Sequence, residues 1–85
     1  NKRCYFFIIM WEESNNKLRK EFKFKDFIEA AAFITKVSIV SEKNNHHPEI
    51  YNIYNKVIID LCTHDKENKI TSKDYNLAKE IDKIL

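Results

Sequence analysis

Glycine does not occur in this chain of 85 residues, so another residue type must form its tight turns. Asparagine is the best replacement, because it tolerates the left-handed backbone conformation that such turns require. Four asparagines stand between apolar segments and are predicted to be turn residues: Asn15, Asn44, Asn55 and Asn68. The segments between them must then be short strands and helices that fold back on one another.

Four segments have the composition or the alternation of β-strands. Leu18 to Phe24 alternates apolar and charged side chains, and the aromatic segment Cys4 to Glu13 precedes it. Ile50 to Tyr54 and Val57 to Thr63 are rich in β-branched and aromatic residues, and Tyr54 is expected in the core. With an asparagine turn inside each pair, the second at Asn55-Lys56, the four segments are predicted to form two antiparallel hairpins.

Two further segments are predicted to be helices. Asp26 is a good N-cap, and apolar residues recur with helical spacing from Phe27 to Val40, over an arc broader than one buried face requires. Thr71 and Asp74 have the spacing of a capping box, which begins a second helix. The order β-β-α-β-β-α predicts an α+β fold, a two-layer sandwich with both helices on one face of a four-stranded antiparallel sheet.

Length and composition exclude several classes of protein. Residues 1–85 are expected to form a single domain, and a domain of this size buries only ~60–65% of its unfolded surface, so a homo-oligomer (dimer or tetramer) is expected. The 15 basic and 13 acidic side chains are interspersed, which argues against direct binding to nucleic acid. No apolar run approaches the ~20 residues of a membrane span. Two cysteines are too few for a disulfide framework, which favours the reducing cytoplasm.

The three histidines of the chain suggest acid/base chemistry. Histidine is the only side chain whose unperturbed pKa, ~6.5, allows it to give and to take a proton near neutral pH. Taken singly, each is more often a surface residue than a catalyst. In the predicted fold, however, the loop after the first helix and the end of the last strand can meet at one edge of the sheet. The three histidines belong to a set of residues at characteristic distances along the chain: Glu42, His46, His47, Pro48, Tyr54, His64 and Asp74.

This spacing resembles the signature of the pterin carbinolamine dehydratase family, and the resemblance runs from about Leu18 to Leu85. It implies the same α+β fold, preceded in that family by an N-terminal helix that this chain lacks, so the N-terminus is expected to be truncated. It also implies an enzyme, a 4a-hydroxytetrahydrobiopterin dehydratase, which removes water from a 4a-hydroxytetrahydropterin to give quinonoid dihydropterin in tetrahydrobiopterin recycling. No metal and no cofactor are implied.

The resemblance also implies roles for individual residues. His46 and His64 are the expected general acid and base, in an order that the sequence leaves open, and His47 is expected to orient the substrate. Glu42 lies about one helical turn before His46, where its carboxylate could hold the tautomer of that imidazole. Asp74 and Tyr54 match the signature but are expected to be structural. The residues expected to bind the pterin are Asn45, His46, His47, Cys62, Thr63, His64 and Asp65.

Two positions depart from the family pattern. Asn45 stands where animal members have an acidic residue, and Ile50 stands where an aromatic residue, usually Trp, is common. The loss of the Trp removes a flat surface against which a pterin ring could pack. The reaction type is therefore better supported by the resemblance than the identity of the pterin.

Two alternatives belong to other functional classes. Three imidazoles can ligate zinc, although adjacent histidines diverge on an extended backbone. A protein-interaction module is the second alternative, because some animal members also serve as dimerisation cofactors of a homeodomain transcription factor. The broad apolar arc from Phe27 to Val40 is the surface expected to bind a protein partner, and such a role would add the nucleus as a location.

Overall fold

The computed structural model describes residues 10–63 and 69–85. Four strands form one antiparallel sheet in the order β1-β2-β4-β3, and two helices complete the α+β fold that the sequence predicts. The predicted strand from Cys4 to Glu13 lies mostly outside the described residues, as does the turn at Asn68. The elements in chain order are β1 Glu12–Ser14, β2 Lys17–Lys23, α1 Phe27–Lys43, β3 Glu49–Ile53, β4 Lys56–Leu61 and α2 Ser72–Lys83.

Asparagine forms the first hairpin turn, as predicted from the lack of glycine. Asn15 and Asn16 have φ angles of 53° and 63°, and Ser14 pairs with Lys17 across this two-residue turn. Left-handed φ values at both central residues are typical of the type I′ turn, which matches the twist of antiparallel strands.

The second hairpin corrects two expectations about Tyr54. Ile53 pairs with Lys56, so the turn consists of Tyr54 and Asn55 rather than Asn55 and Lys56. Tyr54 adopts a φ of 51° and is 63% exposed, so it is not a core residue. Because the strand ends one residue earlier than predicted, the aromatic side chain is placed on the turn instead of on the buried face of the sheet.

The core lies between one face of the sheet and the two helices. Alternate residues of β2 and β4 face the helices, and each helix contributes one apolar stripe. The buried side chains of this cluster are Leu18, Phe22, Ala30, Phe33, Val37, Val57, Ile59, Leu61, Leu77, Ala78 and Ile81. Of the apolar positions predicted for α1, Ala30, Phe33 and Val37 are buried, whereas Phe27 and Ile39 are exposed.

Helix α1 buries only part of its apolar surface. Its N-cap is Asp26, whose carboxylate accepts a hydrogen bond from the Glu29 backbone N–H at 2.9 Å, as the sequence predicts. Ala30, Phe33 and Val37 face the core. Phe27, Ile28 and Ile39 remain exposed, so the broad apolar arc leaves a second face of the helix uncovered in the single chain.

Helix α2 is held against the sheet by a polar contact at the edge of the apolar layer. Lys20 points toward the helices and is buried, and its Nζ lies 2.9 Å from Oδ1 of Asp82. The indole Nε1 of Trp11 also donates to the Asp82 carboxylate, at 3.2 Å to each oxygen. A buried lysine is tolerated here because a carboxylate pairs with it.

Neither helix is long and apolar enough to cross a membrane, within the part of the chain that the structure describes.

Candidate active site

His46 pairs with a buried carboxylate that lies 28 residues further along the chain. Its Nε2 is 2.6 Å from Oδ1 of Asp74. The His46 side chain is 11% exposed and the Asp74 side chain is 0% exposed. A contact this short between two such groups is a strong, charge-assisted hydrogen bond when either partner is ionised.

The second oxygen of the Asp74 carboxylate accepts hydrogen bonds from Thr71, at the start of helix α2, and from Thr63, which follows β4. Oδ2 accepts from the Thr71 backbone N–H at 2.8 Å and from the Thr63 hydroxyl at 2.8 Å. The hydroxyls of Thr63 and Thr71 lie 2.6 Å apart. The capping box predicted for Thr71 and Asp74 is therefore present, and its carboxylate also holds a histidine.

Three elements bring these residues together. Helix α1 ends at Lys43, and Asn45 then turns the chain with a φ of 52°, so that the His46 backbone N–H donates to the Ser41 carbonyl at 3.1 Å. Thr63 follows β4, where its backbone N–H donates to the Lys69 carbonyl at 2.9 Å. The helix exit, the strand end and the cap of α2 thus converge on Asp74.

His47 pairs with a different carboxylate, and this corrects the role expected for Glu42. His47 Nε2 lies 2.9 Å from Oε1 of Glu42, whereas the carboxylate beside His46 is Asp74. The side chains of His47 and Glu42 are 61% and 81% exposed. Because the chain reverses at Asn45, the imidazole that comes to lie beside Glu42 in the last turn of α1 is that of His47 and not that of His46.

The remaining predicted site residues are distributed as follows. Thr63 and Cys62 are buried at the end of β4, and burial raises the pKa of the Cys62 thiol. Asn45 is exposed beside the histidine pair. His64 and Asp65 lie outside the described residues. Across 10–63 and 69–85, no cluster of three or more His, Cys, Asp or Glu side chains is arranged to hold a metal ion.

Sequence reasoning missed two participants in this arrangement. Asp74 was expected only as a helix cap, although its place in the signature was a signal that it does more. Ser41 carried no signal. Its hydroxyl is buried and has no hydrogen-bond partner among the described residues, while its carbonyl accepts from the His46 backbone.

A second polar cluster lies on the other face of the sheet. Arg19 makes two hydrogen bonds to the buried carboxylate of Asp60, at 2.7 Å and 2.8 Å, and this pairing raises the pKa of Arg19. Lys17 Nζ lies 2.8 Å from Glu49. Each of these charges has a partner of opposite sign. The cluster therefore stabilises the pairing of β2 with β4, links β2 to β3 across β4, and is separate from the histidines.

Comparison with known proteins relates the chain to one family. A family model described as pterin 4 alpha carbinolamine dehydratase matches residues 8–84. A protein of Prochlorococcus marinus (strain SARG) is 58% identical over 74 residues, which cover 87% of this chain and 76% of that protein. A protein of Sulfolobus acidocaldarius is 45% identical over 74 residues, covering 87% and 80%. Both carry provisional names as pterin-4-alpha-carbinolamine dehydratases.

Solved structures share the fold. A transcriptional coactivator/pterin dehydratase from Brucella melitensis superposes with a TM-score of 0.82 at 33% identity, covering 96% of this chain and 88% of that chain. A pterin dehydratase-like protein, described as a RuBisCO assembly factor in the alpha-carboxysome, gives a TM-score of 0.73 at 24% identity, covering 86% of each chain. The second likeness supports the fold only.

Proposed function

The chain belongs to the pterin 4 alpha carbinolamine dehydratase family, and from that premise we propose that it removes water from a 4a-hydroxytetrahydropterin. The product is the quinonoid dihydropterin, and the role is recycling of tetrahydrobiopterin or a related pterin. The observation that carries the proposal is His46, a largely buried imidazole held at 2.6 Å by a fully buried carboxylate.

The proposed reaction needs two proton transfers. A ring nitrogen of the substrate loses its proton, and the electrons of that N–H bond form a C=N bond to the carbon that carries the hydroxyl. The C–O bond breaks, and the hydroxyl leaves as water after it accepts a proton. A positioned acid or base is typically worth ~10²–10⁴ in rate for each transfer.

The family resemblance supplies the other proposed roles. His64 is proposed as the second acid/base group, and His47 is proposed to orient the pterin. The backbone and hydroxyl groups proposed to contact the ring belong to Asn45, Cys62, Thr63 and Asp65. Glu42 is proposed to act through His47, the histidine with which it pairs.

The test is a dehydration assay on 4a-hydroxytetrahydrobiopterin, with the wild-type protein and single variants. His46→Gln keeps an N–H donor toward Asp74 but removes the second ring nitrogen, the one proposed to exchange a proton with the substrate. It is expected to lower kcat by ~10²–10⁴. His64→Ala is expected to lower kcat similarly. His47→Ala is expected to raise KM more than it lowers kcat, because its proposed role is binding.

Two results would contradict the proposal. Absence of any acceleration by the wild-type protein over buffer would remove the dehydratase function. If His46→Gln and His64→Ala both retain full kcat, the roles assigned to these histidines are wrong, although the protein is still a dehydratase. Metal analysis discriminates the zinc alternative, since stoichiometric zinc that survives dialysis would contradict metal-free acid/base catalysis.

Self-association through α1 is a second proposed property, and the exposed face of that helix favours it. Ile28, Ala32, Thr35 and Ile39 follow helical spacing and are all exposed, so they form one uncovered stripe. Such a stripe is typical of a surface that binds another protein, and a second copy of the chain is the simplest partner. The alternative is a protein-interaction module with a different partner.

Sedimentation velocity with purified protein tests the association. A wild-type dimer or tetramer is expected, and Ile28→Glu with Ile39→Glu is expected to give a folded monomer. Lys79→Glu, on the exposed side of α2, is the matched control and should leave the assembly unchanged. A wild-type monomer at micromolar concentration would contradict self-association and leave a different partner as the occupant of this face.

A further inference from the structure

The two oxygens of the Asp74 carboxylate have different partners, and the difference determines which nitrogen of His46 can carry a hydrogen. Oδ2 accepts from the Thr71 backbone N–H, which can only donate, and from the Thr63 hydroxyl. Oδ1 faces Nε2 of His46 at 2.6 Å. Asp74 also lies in the first turn of α2, where the helix dipole favours a negative carboxylate.

A carboxylate offers only acceptors, so the hydrogen between Asp74 and His46 must come from the imidazole. Neutral histidine carries one N–H, and if this N–H is on Nε2, then Nδ1 has a free lone pair. We propose that Asp74 is a positioning residue that fixes His46 as the Nε2–H tautomer and thereby makes His46 the proton acceptor of the reaction, through Nδ1. Thr63 and Thr71 hold the carboxylate in this orientation.

The second half of this inference rests on the proposed dehydration. Nδ1 takes the proton from the ring nitrogen of the pterin, the N–H electron pair forms the C=N bond, and hydroxide leaves as water after protonation by a general acid. His46 is then an imidazolium with hydrogens on both nitrogens. The carboxylate of Asp74 stabilises this charge through a charge-assisted hydrogen bond, which a solvent-exposed imidazole would lack.

The first measurement needs no substrate, and it reads the tautomer in the wild-type protein. Long-range ¹H–¹⁵N NMR spectra of the wild-type protein distinguish the two neutral tautomers, with His46→Gln used to assign the signal. The Nε2–H form is expected for His46. An Nδ1–H tautomer would overturn the inference, even if the protein proved to be an active dehydratase.

The second measurement uses Asp74→Asn, which exchanges one acceptor for a donor without changing the shape of the side chain. The Thr71 N–H requires the amide oxygen on its own side, so the amide NH₂ must face His46 and donate to Nε2. The imidazole is then expected to switch to the Nδ1–H tautomer, and kcat to fall ~10²–10⁴-fold because the accepting nitrogen is blocked. Glu42→Gln makes the same chemical change beside His47 and should leave the His46 tautomer unchanged.

The outcomes separate the two parts of the inference. A folded Asp74→Asn protein with an unchanged His46 tautomer would contradict the positioning role. A switched tautomer with unchanged kcat would contradict proton acceptance through Nδ1. If Asp74→Asn does not fold, the wild-type tautomer still decides the first part. The kinetics of His46→Gln then decide the second part: a ~10²–10⁴-fold fall in kcat with little change in KM is expected, and an unchanged kcat would overturn it. An inactive wild-type protein with the Nε2–H tautomer would contradict the proposed function alone.

Discussion

His46 and His47 are adjacent, and each lies close to a carboxylate, at 2.6 Å for His46 and 2.9 Å for His47, yet the two pairs differ in almost every other respect. The His46 pair is largely buried, and its carboxylate has two further hydrogen-bond donors. The His47 pair is exposed on both sides. Distance alone therefore does not rank two histidine–carboxylate contacts, because solvent screens the exposed contact and the surroundings fix the orientation of the buried one.

Removal of the two carboxylates should give the largest contrast. Asp74→Ala leaves His46, Thr63 and the Thr71 N–H without their acceptor and removes a helix cap, so the free energy of unfolding is expected to fall by ~3–5 kcal/mol. Glu42→Ala removes an exposed partner and is expected to change it by less than ~0.5 kcal/mol. Urea denaturation followed by circular dichroism measures both. Equal losses in the two variants would show that burial does not separate the pairs.

Thr63→Val tests whether the buried pair depends on its donors. Valine has the shape of threonine but cannot donate to Asp74, so a loss of ~1–3 kcal/mol is expected in the free energy of unfolding. This variant and its control are both compared in the Ile28→Glu/Ile39→Glu background, so that the proposed association does not contribute. Thr35→Val is the matched control there, since the Thr35 hydroxyl bonds the Ala31 carbonyl on the exposed side of α1. Its loss should stay within ~0.5 kcal/mol. A loss in Thr63→Val no greater than in Thr35→Val would mean that the Thr63 hydroxyl does not support Asp74.

Ser41→Ala tests for an unsatisfied group on the buried side, and its expected effect is the smallest. The Ser41 hydroxyl is buried without a partner among the described residues, so its removal is expected to increase the free energy of unfolding by up to ~1 kcal/mol. Ser38→Ala has the same gain in helix propensity, but it removes an exposed hydroxyl that bonds the Ile34 carbonyl. The Ser41 variant should therefore exceed the Ser38 variant in stability. A stability loss in Ser41→Ala would show that the hydroxyl has a partner after all.

Most of the fold follows from local patterns in the sequence. Asp26 begins α1 as predicted, the capping box of Thr71 begins α2, and Asn15 forms the first turn, because each of these features depends on neighbours within four residues. The second turn was misplaced because Tyr54 occupies a left-handed position that usually favours Asn or Gly. Composition alone does not show that β3 ends at Ile53, one residue before the end of its β-rich segment.

The site was less predictable, because its decisive contact joins distant residues. His46 and Asp74 are 28 positions apart, and only the packed helices and sheet bring them together. Helical spacing suggested Glu42 for His46, but it ignores the reversal of the chain at Asn45. The family signature contained both histidines and Asp74 without indicating which residues touch. The roles of His64 and Asp65, outside the described residues, stay predictions.

The contacts of Asp82 with Trp11 and Lys20 join positions 71 and 62 residues apart, and so they close almost the whole length of the chain. Loops of that size are the most costly in entropy to close, whereas the hairpins bring together residues that are near in sequence. The arrival of α2 on the sheet is therefore expected late in folding. Trp11 is the single tryptophan of the chain, and its indole contacts both Phe22 on β2 and Asp82 on α2. Its fluorescence is therefore expected to keep changing until α2 has docked on the sheet.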